Sequence, residues 1–412
     1  MHPEQDARLH RARRPHRSGS GDVRRGRRAA GGPLARGARP DLRAAGRRTG
    51  RRPYGPGAAG RGHRVRGHRA VHRTQDPAHR GGGRAVDVSA GQIVVAVGGR
   101  PVVPGPVVEA GLPYETSDTV MRIDAPPRHL AILGGGYIAA ELADVFAETG
   151  SSVTIVEKEE HLLGEQDETV RERFTDLVRS RYELRLSREL TAVGGRPGAL
   201  RLTLDDGSTV ESDMLLVAVG RLPNSDRLNL RAAGIATHDD GRVIVDRHQR
   251  TTAEGVFALG DICSPVALKH VANREAEVVV HNLRHPDDLI AADHELVPAA
   301  VFTRPQIASV GATEQDCRDR GLDYLVGTAG YGDVAYGWAM EDTTGFCKVL
   351  AEPGTGRLLG AHIMGPQAPT LIQSLVLAAT LGIDATTLAK SPYWIHPALT
   401  EVVENALLDL DL

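Results

Sequence analysis

Apolar and polar positions follow two different regimes along this chain, and the change falls at residue 85. From Val86 onward, short apolar runs recur at Ile93–Val97, Leu130–Leu133, Val153–Val156 and Leu215–Val219, each the length of a buried strand, and GVFALGDIC places another ahead of Gly260. Between the second and third of these lies a helical stretch. A helix is also expected over Pro369–Leu381, whose apolar spacing suits burial, with strands around Val349. Ahead of residue 85 neither periodicity is found. Arg, Gly, Ala, Pro and His recur there without apolar spacing, and Lys, Phe and Ile are absent.

At 412 residues with 41% hydrophobic content, the chain is large enough for two or three packed domains. Its net charge of -2 conceals a division: residues 1–84 hold 23 Arg and 5 acidic residues, and the remainder holds 27 basic and 47 acidic ones. An Arg-rich head on an acidic body reads as a disordered basic tail or as an arm for nucleic acid or a membrane surface, since clustered guanidinium groups neutralise phosphates, but a nucleic-acid partner is not expected. A third reading is a shifted reading frame. Back-translating Arg61–Arg80 with GC-rich codons and moving one nucleotide yields a strand-like alternating text, so the head is expected to be out of frame, with the true frame rejoined near Ala85. No run of 18 apolar residues occurs, and the N-terminus has no signal-peptide core, so no membrane partner and a cytoplasmic location are expected. Cys263, Cys317 and Cys347 stand too far apart for a metal site, and none is expected.

The chemistry sits at strand ends. The strand to Leu133 runs into Gly134, Gly135 and Gly136, then a helix opening with Tyr137, Ile138, Ala139, Ala140 and Glu141, then a second strand closed by Glu157. This is the order that a dinucleotide fingerprint requires: Gly134 for the tight turn, Gly136 for approach of the pyrophosphate, and the helix N-terminus for its charge. Ala139 at the third small position lets the helix pack closely on the strand. Glu157 suits a ribose 2′-hydroxyl and favours NADH, while Lys158 beside it leaves NADPH open. Two further strands end in Gly98–Gly99 and Gly220, and a third in Gly260–Asp261, where an acid beside a glycine suits a ribityl or ribose hydroxyl or serves as a helix N-cap.

Taken together, the Gly98–Gly99 strand end, GGGYIAAE (Gly134–Glu141), VGRLPN, ALGDI, FTRPQIASVGATE (Phe302–Glu314) and HPALTE (His396–Glu401) resemble the pyridine nucleotide-disulfide oxidoreductase family from about residue 85 to the C-terminus. The resemblance implies an α/β fold of two nested Rossmann-like dinucleotide-binding domains, the first incomplete, plus a C-terminal α+β dimerisation domain. The implied order is 1–84 outside the fold, 85–128 a remnant of the FAD-binding domain, 129–250 the NAD(P)-binding domain, 251–292 the returning FAD segment and 296–412 the dimerisation domain. It also implies FAD and NAD(P)H as cofactors, a low-molecular-weight thiol disulfide as substrate, and a homodimer. Residues Gly134–Glu141, Glu157 and Gly220 would contact the nicotinamide nucleotide, with Gly98, Gly260, Asp261, Leu268, Lys269 and His270 on the flavin side. His396, oriented by Glu401, would be the acid/base delivered to the partner's site.

Two family features are missing. No FAD fingerprint follows an apolar strand in the head, and no two cysteines are separated by four residues, so disulfide reduction is expected to be impaired and solubility poor. Two other readings remain: a flavin reductase of quinones or other acceptors that works without a dithiol, and a non-catalytic dimeric nucleotide-binding module with a basic arm.

Overall fold

A computed structural model describes residues 68–72, 76–81, 84–87 and 90–412. The expectation that the head is disordered or out of frame lies, through residue 67, outside the described residues. From residue 68 it needs correction on one point. Strands β1 (His68–His72), β2 (Asp76–Gly81) and β3 (Arg84–Asp87) form an antiparallel sheet that crosses the expected boundary at residue 84. Ladder hydrogen bonds join backbone groups that every non-proline residue carries, so such a meander forms without the apolar alternation on which the sequence reading relied.

Beyond it, β4 (Ile93–Val95), β5 (Gly99–Pro101), the short helix α1 (Gly105–Ala110) and β6 (Glu115–Thr116) lead to a parallel α/β core. That core consists of β7 (His129–Leu133), α2 (Tyr137–Glu148), β8 (Ser152–Val156), α3 (Glu168–Val178) and β9 (Glu183–Arg185). An antiparallel excursion follows, made of β10 (Leu190–Arg196), β11 (Ala199–Leu204) and β12 (Thr209–Ser212), before β13 (Met214–Val217) returns. The five-stranded sheet runs β6-β13-β7-β8-β9, all parallel. Leu130, Ile132, Ile155 and Leu216 are each 1% exposed or less, as expected of strands covered on both faces. Helix α2 meets this sheet through Ala139, Ala140 and Ala143, whose small side chains let the helix axis come close.

Strand β14 (Arg221–Pro223) pairs antiparallel with β5, and β15 (Val256–Ala258) pairs parallel with β4. Helix α4 (Lys269–Arg284) follows. Among the described residues the β4–β15 sheet has two strands, and Val94 in β4 and Val97 just after it are exposed. Parallel strands are normally covered on both faces, so this surface has the character of an incomplete sheet.

The C-terminal domain is an antiparallel sheet in the order β16-β17-β20-β19-β18, built from β16 (Ala299–Val301), β17 (Ile307–Gly311), β18 (Leu325–Gly330), β19 (Phe346–Ala351) and β20 (Leu358–Met364). Helix α5 (Glu314–Asp319) follows β17, α6 (Ala335–Ala339) precedes β19, and α7 (Ala368–Leu381), α8 (Ala385–Lys390) and α9 (Thr400–Leu408) cover the sheet. Every residue of β19 is buried, including Lys348. Its ammonium donates to Asp167 Oδ1 at 2.8 Å, Thr169 Oγ1 at 3.0 Å and Glu314 Oε2 at 2.6 Å, three acceptors for three donors. Asp167 caps α3 through the Thr169 N–H and also accepts the Glu314 N–H of α5, so one carboxylate joins helices of two domains.

A nucleotide cleft and a remote acid–base pair

The glycine turn between β7 and α2 is dictated by space as much as by conformation. Gly134 has φ +108°, and a Cβ there would stand 2.4 Å from the Ala218 carbonyl oxygen on the neighbouring strand. At Gly135 a Cβ would meet Glu157 Cγ at 2.8 Å and Leu162 Cδ2 at 2.9 Å. Gly136 differs: its φ is -75°, and a Cβ would meet nothing within 4 Å. It faces the open cleft, and no side chain caps the helix that starts after it. Its backbone and the first N–H groups of α2 therefore form a cradle of the size and polarity that a pyrophosphate needs.

This cradle lies in a cleft of about 720 Å³, a usual size for a cofactor site, lined by Gly134 to Ile138, Glu157, Lys158, Arg188, Gly220 and Arg221 among others. Glu157 closes β8, and its Oε1 accepts the Glu159 N–H at 2.9 Å. Gly220, φ +124°, turns the chain at the end of β13 on the opposite wall. Tyr137 at the mouth is half-buried; burial pushes its phenol above the usual range, with Arg221 opposing and Asp261 and Glu141 adding to the shift. The remaining fingerprint residues lie elsewhere. Ala139 and Ala140 are buried against the sheet, and Glu141 accepts the Phe302 N–H of the C-terminal domain at 2.9 Å. Arg188, Pro104, Pro265 and Ala267 also line the cleft and were not among the residues singled out from sequence, whereas Arg221 stands in the VGRLPN motif.

The open position of Gly136 gives a direct check. Gly136→Ala should leave stability within about 0.5 kcal/mol, because its backbone conformation suits alanine. The added methyl should weaken nicotinamide nucleotide binding about tenfold by displacing the pyrophosphate from the helix end. Calorimetric titration alongside a thermal melt separates the two effects.

Past the carboxyl ends of β4 and β15 stand Gly98 (φ +64°) and Gly260 (φ +75°), and a Cβ on Gly99 would stand 3.8 Å from Asp261 Cβ. This is where an open α/β sheet binds its ligands. The turn is held from behind: Arg221 Nη2 donates to the Gly99 carbonyl at 2.9 Å, the Asn224 N–H to the Gly98 carbonyl at 3.0 Å, and Arg100 makes a two-pronged pair with Asp226. The Gly260 N–H donates to the buried Glu275 at 2.6 Å. Leu268 precedes α4, Lys269 pairs with Asn273, and His270 Nε2 bonds the Pro298 carbonyl. These residues fit the ribityl side of a flavin. The pyrophosphate of FAD finds no second glycine fingerprint among the described residues.

The third element stands apart. In the C-terminal domain His396 Nδ1 donates to Glu401 Oε1 at 2.8 Å, and Glu401 Oε2 accepts the Ala398 N–H at 3.1 Å. The bond from His396 holds the Glu401 carboxyl below its usual range, so the carboxylate fixes the ring and its tautomer. The imidazole is 68% exposed and does not line the nucleotide cleft of its own chain. Tyr393 and Ile395 beside it, and Leu377 and Leu381 on α7, are exposed apolar residues. All three cysteines are buried. Burial pushes the thiols of Cys263 and Cys347 up to about 12 and raises that of Cys317, so none is a thiolate near neutral pH.

A glycine-turn cleft, a second glycine turn tied to it through Arg221 and a solvent-facing His–Glu pair on a separate sheet domain fit a flavin- and nicotinamide-linked disulfide reductase framework. The chain belongs to the pyridine nucleotide-disulphide oxidoreductase family: residues 60–276 match that family and residues 297–407 match its dimerisation domain. The first match, like the antiparallel meander, begins ahead of residue 85. Members of this family carry reducing equivalents from NAD(P)H through FAD to a disulfide. Over 328 residues the chain is 53% identical to mycothione reductase of Mycobacterium tuberculosis, covering 79% of this chain and 71% of that protein. It is 34% identical to glutathione reductase of Burkholderia cepacia, covering 76% and 69%. Its fold matches the crystal structure of LpdA from Mycobacterium tuberculosis with TM-score 0.74 at 25% identity, covering 83% of this chain and 74% of that one.

Proposed function

We propose that the chain is the nicotinamide-binding and dimerisation framework of a reductase for a low-molecular-weight disulfide of the mycothione type, with the disulfide step impaired because the redox dithiol is absent. In this reading residues 129–250 hold NAD(P)H along the α2 N-terminus. Asp261, Leu268, Lys269 and His270 face the flavin, with 85–128 and 251–292 forming its side of the cleft. FAD bound there would supply the electron carrier between the nicotinamide and an acceptor. The reading includes a cytoplasmic homodimer joined through residues 296–412; among the described residues no helix is long and apolar enough to cross a membrane.

The observation that carries this reading is the His396–Glu401 pair, hydrogen-bonded at 2.8 Å and turned to solvent away from its own cleft. With Nδ1 engaged by a carboxylate, Nε2 is the nitrogen that gives a proton to a departing thiolate, and an exposed face of apolar residues is suited to bringing it to a second chain. The 53% identity to mycothione reductase supports a substrate of this class. The test is a chimera with residues 85–412 behind a segment carrying the family's FAD fingerprint and dithiol. Turnover of mycothione well above that of glutathione disulfide is expected, falling at least a hundredfold on His396→Ala. Equal use of both disulfides, or indifference to His396, would contradict the proposal.

A further inference from the structure

The ribose end of the nucleotide cleft is not simply acidic. Arg188, on the segment between β9 and β10, is well outside the glycine fingerprint in sequence. Its backbone N–H nevertheless donates to the Glu157 carbonyl at 3.0 Å, so position 188 lies directly beside the residue that closes β8, and its side chain lines the same cleft. The guanidinium is braced from behind: Nε donates to Asp206 Oδ2 at 2.6 Å and Nη1 to the Ser187 carbonyl at 2.7 Å. Asp206 is a dependable anchor, since hydrogen bonds from Ser208 and Arg188 bring its carboxyl down to about 2. A guanidinium has five N–H donors, and these two bonds use two of them. Lys158 lines the cleft next to Glu157, largely exposed and 3.6 Å from Glu159.

Glu157 itself is turned inward. Its Oε1 is occupied by the Glu159 N–H, and its Cγ and Oε2 lie over Gly135. The cleft as a whole also contains Glu165, Glu189 and Arg221, so net charge does not decide what it accepts; the placement of the braced fork does. We propose that Arg188 makes this cleft competent for a nicotinamide nucleotide bearing a 2′-phosphate, with Lys158 as the second cation on that phosphate. The inference rests on the reading of the cleft as a nicotinamide nucleotide site and adds its preferred form. Arginine is suited to the task because its planar fork meets a phosphate with two parallel bonds, and because bracing at Nε lowers the cost of ordering it.

The probes are 2′,5′-ADP and 5′-AMP, titrated calorimetrically into the full 412-residue chain at low and moderate salt. The 2′-phosphorylated ligand should bind at least as tightly as 5′-AMP, and its advantage should shrink as salt rises. Arg188→Gln should weaken 2′,5′-ADP about tenfold or more and leave 5′-AMP within about twofold; Arg188→Lys, which keeps the charge and loses the fork, should fall between. Glu157→Gln should tighten 2′,5′-ADP. Equal weakening of both ligands by Arg188→Gln would mean that Arg188 only supports the fold and would overturn the proposal, as would no change in either. If neither ligand binds the unmodified chain, the nucleotide-site reading itself fails and the inference goes with it.

Discussion

Replacing Lys348 with alanine should destabilise the protein by about 3–5 kcal/mol, read as a fall in the urea midpoint at unchanged slope. The ammonium is 2% exposed, and it is the counter-charge for Asp167, which is fully buried, and for Glu314. Removing one member of a buried ionic cluster strands the others without solvent or partner, and that penalty exceeds the net worth of the intact cluster. Lys348→Met should be nearly as damaging, because restoring volume does not restore charge. Adding Asp167→Asn to Lys348→Met should recover part of the loss by removing the stranded carboxylate. Since Asp167 caps α3 and also binds the Glu314 N–H of α5, the loss should loosen the nucleotide unit from the C-terminal domain.

Acid should act on the same cluster. Burial pushes the Asp167 carboxyl up, but His362, Lys348 and the Glu314 N–H outweigh it and hold it below the usual range. Glu314 is likewise held low by Lys348 against its burial. Carboxylates with depressed values contribute stability above about pH 4, their unfolded value, and lose it as pH falls through the folded one. His362 adds an earlier step. Burial lowers its value, its Nε2 bonds the Ala312 carbonyl, and its Nδ1 has no partner. The unfolded chain therefore binds a proton below about pH 6.5 that the folded chain resists, and stability declines from there. Thermal melts against pH should show this first decline disappear in His362→Gln.

What could be read from sequence was local. The strand–glycine–helix order at Gly134–Gly136 depends on neighbours along the chain, and the structure forms that turn; the His396–Glu401 pair was implied by the family resemblance alone, and the structure forms its hydrogen bond. Strand ends were overrun: Ile93–Val97 stops at Val95 and Leu215–Val219 runs Met214–Val217, because Gly98 and Gly220 at positive φ turn the chain early. The pairings that matter most for stability and for the ribose end were not legible. Lys348 and Asp167 stand 181 residues apart, and Arg188 meets position 157 only because β9 pairs with β8. No pattern within either segment marks them. The meander at residues 68–87 was missed for the opposite reason, since backbone pairing leaves no obligatory apolar signature.

The second large effect is an absence. Passing electrons to a disulfide substrate needs a thiolate pair beside the flavin, and this chain has no cysteines spaced to form one. Its three cysteines are also buried with thiols pushed up, so none can substitute at neutral pH. The His396–Glu401 pair does not compensate, because a proton donor without a sulfur nucleophile has no leaving thiolate to protonate. Disulfide-dependent turnover should therefore be lower than in dithiol-bearing relatives by about a thousandfold or more, while the cleft at Gly134–Gly136 still binds nucleotide.

One measurement reads both halves of that statement: nicotinamide fluorescence of NADPH followed over time with the purified 412-residue chain, added FAD and excess mycothione. The expected result is a saturable change on binding that then holds steady, with no decay dependent on the disulfide. Disulfide-dependent loss of the signal, or no saturable change at all, would contradict it.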